Sequence, residues 1–416
     1  MRRNKGIRVT ETNSKTTVAK RVGRIALKSL VVIILVAISI FVATSFSPIY
    51  DFDPPRPFCG PDIYNPYRSL DTANCWKRAN LHTHTRVEGV LNECDFSADS
   101  VYHIYRSYGY DIVGFTNHNE LTKHPIDKSL EMDIYEHGYN ALNFHVMTYG
   151  AESVWHYDAL LPLFTSQKQF MLNKLNEDAD FVQINHPHRY RLFDYDALEK
   201  LGGYRLMELT SGEDVLENKH WDIALSAGRY SHGILNDDMH YPDQSDKIAI
   251  RCSFLCTPDA TYDSVRQTLL EGCFYSMRVP DFGNGDFEEK HARNRELPTV
   301  KDIGLRDSTI YIELSAPAAS IKFVGSNHRT LHTAYSTLSA EYTMLPDDPY
   351  ARIMAFYSDG VVIYSNAFAR YDSTVEESPY RGAMCSVNTP LSILFNIAVA
   401  LCLGLVLALI YFILRR

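Results

Sequence analysis

Several kinds of chemistry are excluded by what this sequence lacks. Its 416 residues contain no Gly-x-Ser-x-Gly elbow, no Gly-rich phosphate loop and no dinucleotide fingerprint, so serine-nucleophile, P-loop and Rossmann chemistry find no support. No Cys-x-x-Cys pair occurs among its eight cysteines, which removes the usual thiolate zinc site. Low-complexity tracts and internal repeats are also missing. Positive charge is scarce in the centre: of the formal net charge of −9, residues 1–28 carry +8 and Arg415-Arg416 carry +2, leaving −19 for the rest. So acidic a body is a poor trap for a nucleic acid polymer, and no such partner is expected.

Charge is absent altogether from two stretches, 30–46 and 391–414. Each Leu, Ile, Val or Phe near a bilayer centre favours insertion by roughly 0.3–0.6 kcal/mol, so either run inserts with several kcal/mol in hand. Nine basic side chains and one acid precede the first run, and two arginines follow the second. The first run and its basic lead are long for a cleaved signal peptide, and an uncleaved anchor is expected. The basic flanks place both termini in the cytoplasm. The expectation is a cell-membrane protein with an extracytoplasmic domain, built as a basic segment (1–28), a membrane helix (29–47), a linker (48–75), a main domain (76–282), a smaller one (300–375) and a second membrane helix (390–414). Seven cysteines would then meet an oxidising compartment, with Cys59–Cys75 as the expected bridge.

The linker is rich in proline and asparagine. Beyond it, short apolar runs at 79–81, 112–115, 146–148, 181–184, 205–209, 233–235 and 250–255 alternate with helical stretches. One helix, at 101–108, follows Ser97, and another, at 220–227, ends at Gly228. Such alternation predicts α/β architecture with a parallel sheet. Residues 300–375 change to alternating runs that predict a small antiparallel sandwich.

Metal-type ligands fall at the strand ends. His82 and His84, two apart, would share one face of a strand. A lone His-x-His is weak, since 16 histidines in this length give roughly half of one such pair by chance. Its company strengthens it: Asn117-His118, Glu152, His186, Glu208 and Asp237-Asp238-Met239-His240. Parallel β/α barrels collect their chemistry at that rim.

The motifs Asn80-Leu81-His82-Thr83-His84, Thr116-Asn117-His118, Gly150-Ala151-Glu152, Asn185-His186-Pro187 and Asp237-Asp238-Met239-His240 together resemble the polymerase and histidinol phosphatase (PHP) family of metal-dependent hydrolases. The branch with a β-sandwich after the barrel is the most similar. The resemblance implies a distorted (β/α)7 barrel holding two or three divalent ions, manganese, zinc or iron. His82, His84, Glu152 and Asp238 would hold the first, and Glu152 would bridge to a second held by His186 and His156. His118 and His240 would share the third. Glu152 and Asp238 would be the catalytic carboxylates, with a metal-bound water as nucleophile, and His188 and Arg189 are candidate phosphate contacts. Glu208 is expected as a buried carboxylate hydrogen-bonded to the rim; His103, His137, His145, His220, His232 and His332 are expected to be structural. Two features depart from the family. Asn117 stands where it has Asp, and the acid completing its third site is displaced, leaving Glu88, Glu93 and Asp95 as candidates.

The expected function is hydrolysis of a small phosphate ester outside the cytoplasm. Hydrolysis of a carboxyl or carbamate ester, and a degenerate barrel that binds without catalysis, are the alternatives.

Overall fold

The computed structural model describes residues 7–71, 76–88, 92–189, 195–210 and 218–415. Cys75, and with it the expected Cys59–Cys75 bridge, lies outside these residues. The fold is mixed α/β, with strands in two principal sheets. The larger sheet runs, in spatial order, through Val300–Arg306, Thr309–Gly325, Tyr350–Phe356, Val362–Ser365, Phe274–Arg278, Arg251–Cys256, Trp76–Asn80 and Ile112–Val113. The smaller contains Tyr135–His137, Val146–Tyr149, Phe181–Ile184, Leu206–Glu208 and His232–Ile234.

The expected parallel pairing holds only locally. Trp76–Asn80 lies parallel to Ile112–Val113, and Phe181–Ile184, Leu206–Glu208 and His232–Ile234 are mutually parallel. Val146–Tyr149 and Arg251–Cys256 instead run antiparallel to their neighbours. Single bridges, Thr83 with Met239 and His118 with Glu136, connect the sheets. Among the described residues the ladders of these strands fall into two sheets joined by those bridges, not one continuous ladder.

The strands of 300–375, expected as a small antiparallel sandwich, do pair antiparallel with one another. Val362–Ser365 pairs with Phe274–Arg278, so the later strands extend the larger sheet. Part of 48–75, expected as a linker, is also built in: Tyr50–Phe52 pairs with Cys385–Val387, and Asp62–Tyr64 with Phe368–Tyr371.

Local signals were accurate for the helices. Ser97 caps Ala98–Ser107, its side chain accepting from the Ser100 amide at 3.2 Å. Lys219–Ser226 stops before Gly228, whose φ of +81° and a Cβ position 1.8 Å from the Arg56 carbonyl oxygen admit only glycine. This helix is locked to the larger sheet by a buried ion pair. Arg352 donates to the Asp222 carboxylate at 2.8 and 2.5 Å, and the Tyr350 hydroxyl donates to it at 2.9 Å. Burial opposes the Asp222 charge, but the Arg352 guanidinium holds its pKa below the ordinary value.

Among the described residues, two helices are long and apolar enough to cross a membrane: Lys20–Ala43, within the helix Ile7–Ala43, and Thr389–Arg415. Their 24 and 27 residues span about 36 and 40 Å, against about 30 Å of hydrocarbon. They pack against each other. Asn396 exchanges hydrogen bonds with the Ser47 backbone (3.2 and 3.0 Å), and the Ile49 amide donates to Ser392 at 2.9 Å.

Removing one member of the buried pair should be costly. Arg352→Met is expected to destabilise the chain by about 3–5 kcal/mol, read as a lowered denaturant midpoint; an unchanged midpoint would show the pair to be incidental. Acid should also destabilise through His232, which burial holds down to about 3. The unfolded chain takes up this proton below about pH 6.5 and the folded chain does not, so stability falls as pH drops from about 6.5 towards 3. At pH 5 the loss from this group is about 2 kcal/mol. His232→Asn should flatten the stability–pH slope over that interval, measured by denaturation at pH 7 and pH 5.

Candidate metal centre

The Trp76–Asn80 strand ends just before His82 and His84, and alternation sends both rings to one side. Thr83, between them, turns to the Tyr105 hydroxyl at 3.3 Å. His82 Nε2 and His84 Nε2 each lie 3.2 Å from Asp238 Oδ1. They lie 3.2 and 3.3 Å from Glu136 Oε2. His118 Nε2 reaches the same Glu136 oxygen at 3.2 Å. The other oxygen of Glu136 meets His145 Nδ1 at 3.2 Å and His186 Nε2 at 3.1 Å. One buried carboxylate thus faces five imidazoles, three on one oxygen and two on the other.

A third grouping adjoins it. Glu93 Oε2 lies 3.1 Å from His118 Nε2, 3.7 Å from His240 Nε2 and 3.8 Å from His84 Nδ1. Of the three acids left open by the sequence, Glu93 is therefore the one brought in; Glu88 and Asp95 are exposed. Asn117 acts on the backbone and not on a ligand. Its Oδ1 accepts from the Thr85 amide at 2.8 Å, and its amide group donates to the Thr85 and Thr122 hydroxyls.

The donor set fits divalent ions. Two donors bound to one ion at about 2.0–2.2 Å stand about 3.0–3.5 Å apart, the spacing found here. His82 Nδ1 is 3.1 Å from Glu208 Oε1, the contact expected of a carboxylate that fixes a ligand's tautomer. That leaves His82 Nε2 buried and without a hydrogen-bond partner, aimed between two carboxylates rather than at either. Glu208 also accepts from the His186 amide at 3.0 Å, so it is the buried rim carboxylate that the sequence suggested. Two residues of the cluster, His186 (φ +29°) and Asp238 (φ +52°), hold left-handed backbone, a strain that collects at functional sites.

Carboxylates and imidazoles in the cluster shift one another strongly. Burial opposes charge on Glu136, yet the imidazoles of His82, His118 and His145 hold its carboxyl well below the usual range. Burial likewise opposes the His82 imidazolium, but Glu136, Asp238 and Glu208 raise its pKa well above the ordinary value. Burial drives His186 down to about 3, leaving the neutral ring that metals bind. Arg189, half-buried, pairs with Asp238 at the cluster's edge, whereas His188 faces His220 with ring centres 6.4 Å apart. A cleft of about 390 Å³ opens on Glu93 and His240, lined also by Phe96, Tyr241 and Asp243.

Two expected ligands are not brought to the cluster: Glu152 and His156 are both exposed. Strand direction is the reason. Val146–Tyr149 runs antiparallel to Phe181–Ile184, with Val146 beside Ile184 and Tyr149 beside Phe181. Its beginning, preceded by His145, therefore lies at the His186 end, and its far end carries Glu152 away. Glu136, on Tyr135–His137, and His145 stand among the imidazoles of the cluster, where Glu152 and His156 were expected. Glu136 follows the short stretch Met132-Asp133-Ile134-Tyr135 and stands two residues before Gly138, beside His137, and that placement was the available signal.

No family model and no curated protein matches this chain. Among solved structures it is similar to a two-domain protein from Bacteroides vulgatus ATCC 8482 containing a predicted PHP-like metal-dependent phosphoesterase. The TM-score is 0.36 and the identity 13%, over 76% of this chain and 100% of that one. A likeness that distant carries no argument for function, which rests on the cluster.

Glu136→Ala is expected to lose two ions' worth of binding, Glu93→Ala to weaken only the site at His118 and His240, and Glu152→Ala to keep all metal. Metal content after dialysis, by inductively coupled plasma mass spectrometry, checks this. A metal-free Glu152→Ala protein would restore the sequence-based assignment.

Proposed function

We propose that this chain is a metal-dependent hydrolase of phosphoric esters, held to a membrane by both terminal helices with its catalytic domain outside the cytoplasm. The observation that carries the reading is the Glu136 carboxylate between two groups of imidazoles, with Asp238 beside the first. His82, His84, Glu136 and Asp238 would hold one ion; Glu136, His145 and His186 a second; Glu93, His118 and His240 a third. Divalent ions held there would acidify a bound water towards neutral pH and stabilise charge developing on phosphoryl oxygens.

The protein's own groups supply orientation. Glu208 fixes the His82 ring, and Arg189 stands at the open edge, where a guanidinium suits a phosphoryl oxygen. The cleft, at the small end of ligand pockets, suits a compact phosphate group, and its acidic lining disfavours a polyanion.

Purified full-length chain, stripped by chelator and reloaded with manganese or zinc, should hydrolyse phosphate monoesters or diesters. Glu136→Gln should lower kcat by about 100-fold or more, in the range of lost charge stabilisation. Turnover of carboxyl esters alone would overturn the phosphoester reading; metal binding without any turnover would favour the binding module.

A further inference from the structure

The head of the molecule carries an apolar segment that its fold does not bury. Residues 159–164 read Ala-Leu-Leu-Pro-Leu-Phe, without a polar side chain. Leu163 and Phe164 are 54% and 53% exposed. Polar side chains behind the segment hold it in place. The Lys168 ammonium donates to the Pro162 carbonyl at 2.6 Å, and the Phe164 amide to Gln167 at 3.1 Å, while the Gln167 amide group reaches the Ser45 carbonyl at 3.3 Å. What projects is two adjacent large apolar side chains beside the membrane-type helices. The Phe164 ring packs edge-on to Phe395, with centres 5.8 Å apart, and Phe395 lies inside Thr389–Arg415. Phe164 therefore lies beside an apolar helix and continues that helix's apolar surface.

The same segment bears on the metal centre. Glu136 and His145 flank a turn that rests on it: the Tyr139 amide donates to Asp158 at 2.6 Å, and the Ala141 amide to the Leu160 carbonyl at 3.0 Å. His137, next to Glu136, stacks on Trp155 at 5.2 Å, and Trp155 packs on Tyr157 at 5.5 Å. The Tyr157 hydroxyl is shared between the Thr44 and Phe46 carbonyls, at 2.9 and 2.8 Å, where the first helix ends. A continuous series of contacts thus links Glu136 to that helix end.

We propose that residues 160–164 enter the membrane interface as a third contact beside the two helices, and that the phosphoester acted on is the head group of a membrane amphiphile. The loop assignment rests on the two helices being membrane spans, and the substrate class rests also on the hydrolase reading above. Leu163 and Phe164 dip among the lipids, and the hydrogen-bonded turn above them holds the Glu136–His145 side of the metal centre close to the membrane surface. The phosphoryl head group enters the metal centre, and the acyl chains stay in the bilayer.

The test uses the full chain in lipid nanodiscs. Phe164→Trp should show tryptophan quenching by lipids brominated near the top of the acyl chain, well above that of the parent protein; no added quenching would overturn the membrane contact. With manganese-loaded protein, L163D/F164D should lower turnover of a lipid phosphomonoester or phosphodiester in the disc by about tenfold and leave a soluble phosphate ester unchanged. Equal loss on both substrates, or turnover of the soluble ester alone by the parent, would overturn the substrate assignment. If the parent hydrolysed neither, the hydrolase reading would fail and the substrate class with it, with quenching still deciding the loop.

Discussion

The Glu136 carboxylate, buried between His82, His84 and His118 on one oxygen and His145 and His186 on the other, is the interaction on which the rest of the centre depends. A negative charge in that position is costly unless cations answer it. Here the answering groups are imidazoles, themselves faced by Asp238, Glu208 and Glu93. Like-sign groups packed this closely are stable together only with protons or metal ions between them. The fold spends backbone strain at His186 and Asp238 to hold the arrangement.

Around this centre the two sheets share the task of delivery. The larger supplies His82 and His84, with His118 following its edge strand. The smaller supplies Glu136, His145, His186 and Glu208, and Asp238 and His240 follow its last strand. The bridges between Thr83 and Met239 and between His118 and Glu136 fix the relative position of the two halves at the cluster itself. Fold and site therefore depend on the same contacts, and the Asp222–Arg352 pair carries that rigidity out to the later strands.

The terminal helices and the head likewise form one body. Hydrogen bonds from Asn396, Ser392 and Tyr157 join the helix ends to the head, and the strand Tyr50–Phe52 pairs with Cys385–Val387 between them. The head is not tethered by a slack linker, and its orientation on the helices is set by backbone pairing.

The sequence by itself determined much of this. Charge-free runs marked the apolar helices, Ser97 and Gly228 marked helix ends, and the gathering of His82, His84, His118, His186, Asp238 and His240 was legible because they sit in short motifs where neighbours along the chain stay neighbours in space. Glu93 was legible only as one of three acids, since nothing local tells which carboxylate in a loop turns inward. Glu136 and His145 were decided by tertiary structure alone. Alternating apolar runs look the same whichever way a strand points, so the reversal of Val146–Tyr149 could not be read from its residues, and with it went the choice between Glu152 and Glu136. The continuity of the later strands with the larger sheet was hidden for the same reason: strand partners are chosen by contacts between distant segments, which only the folded chain brings together.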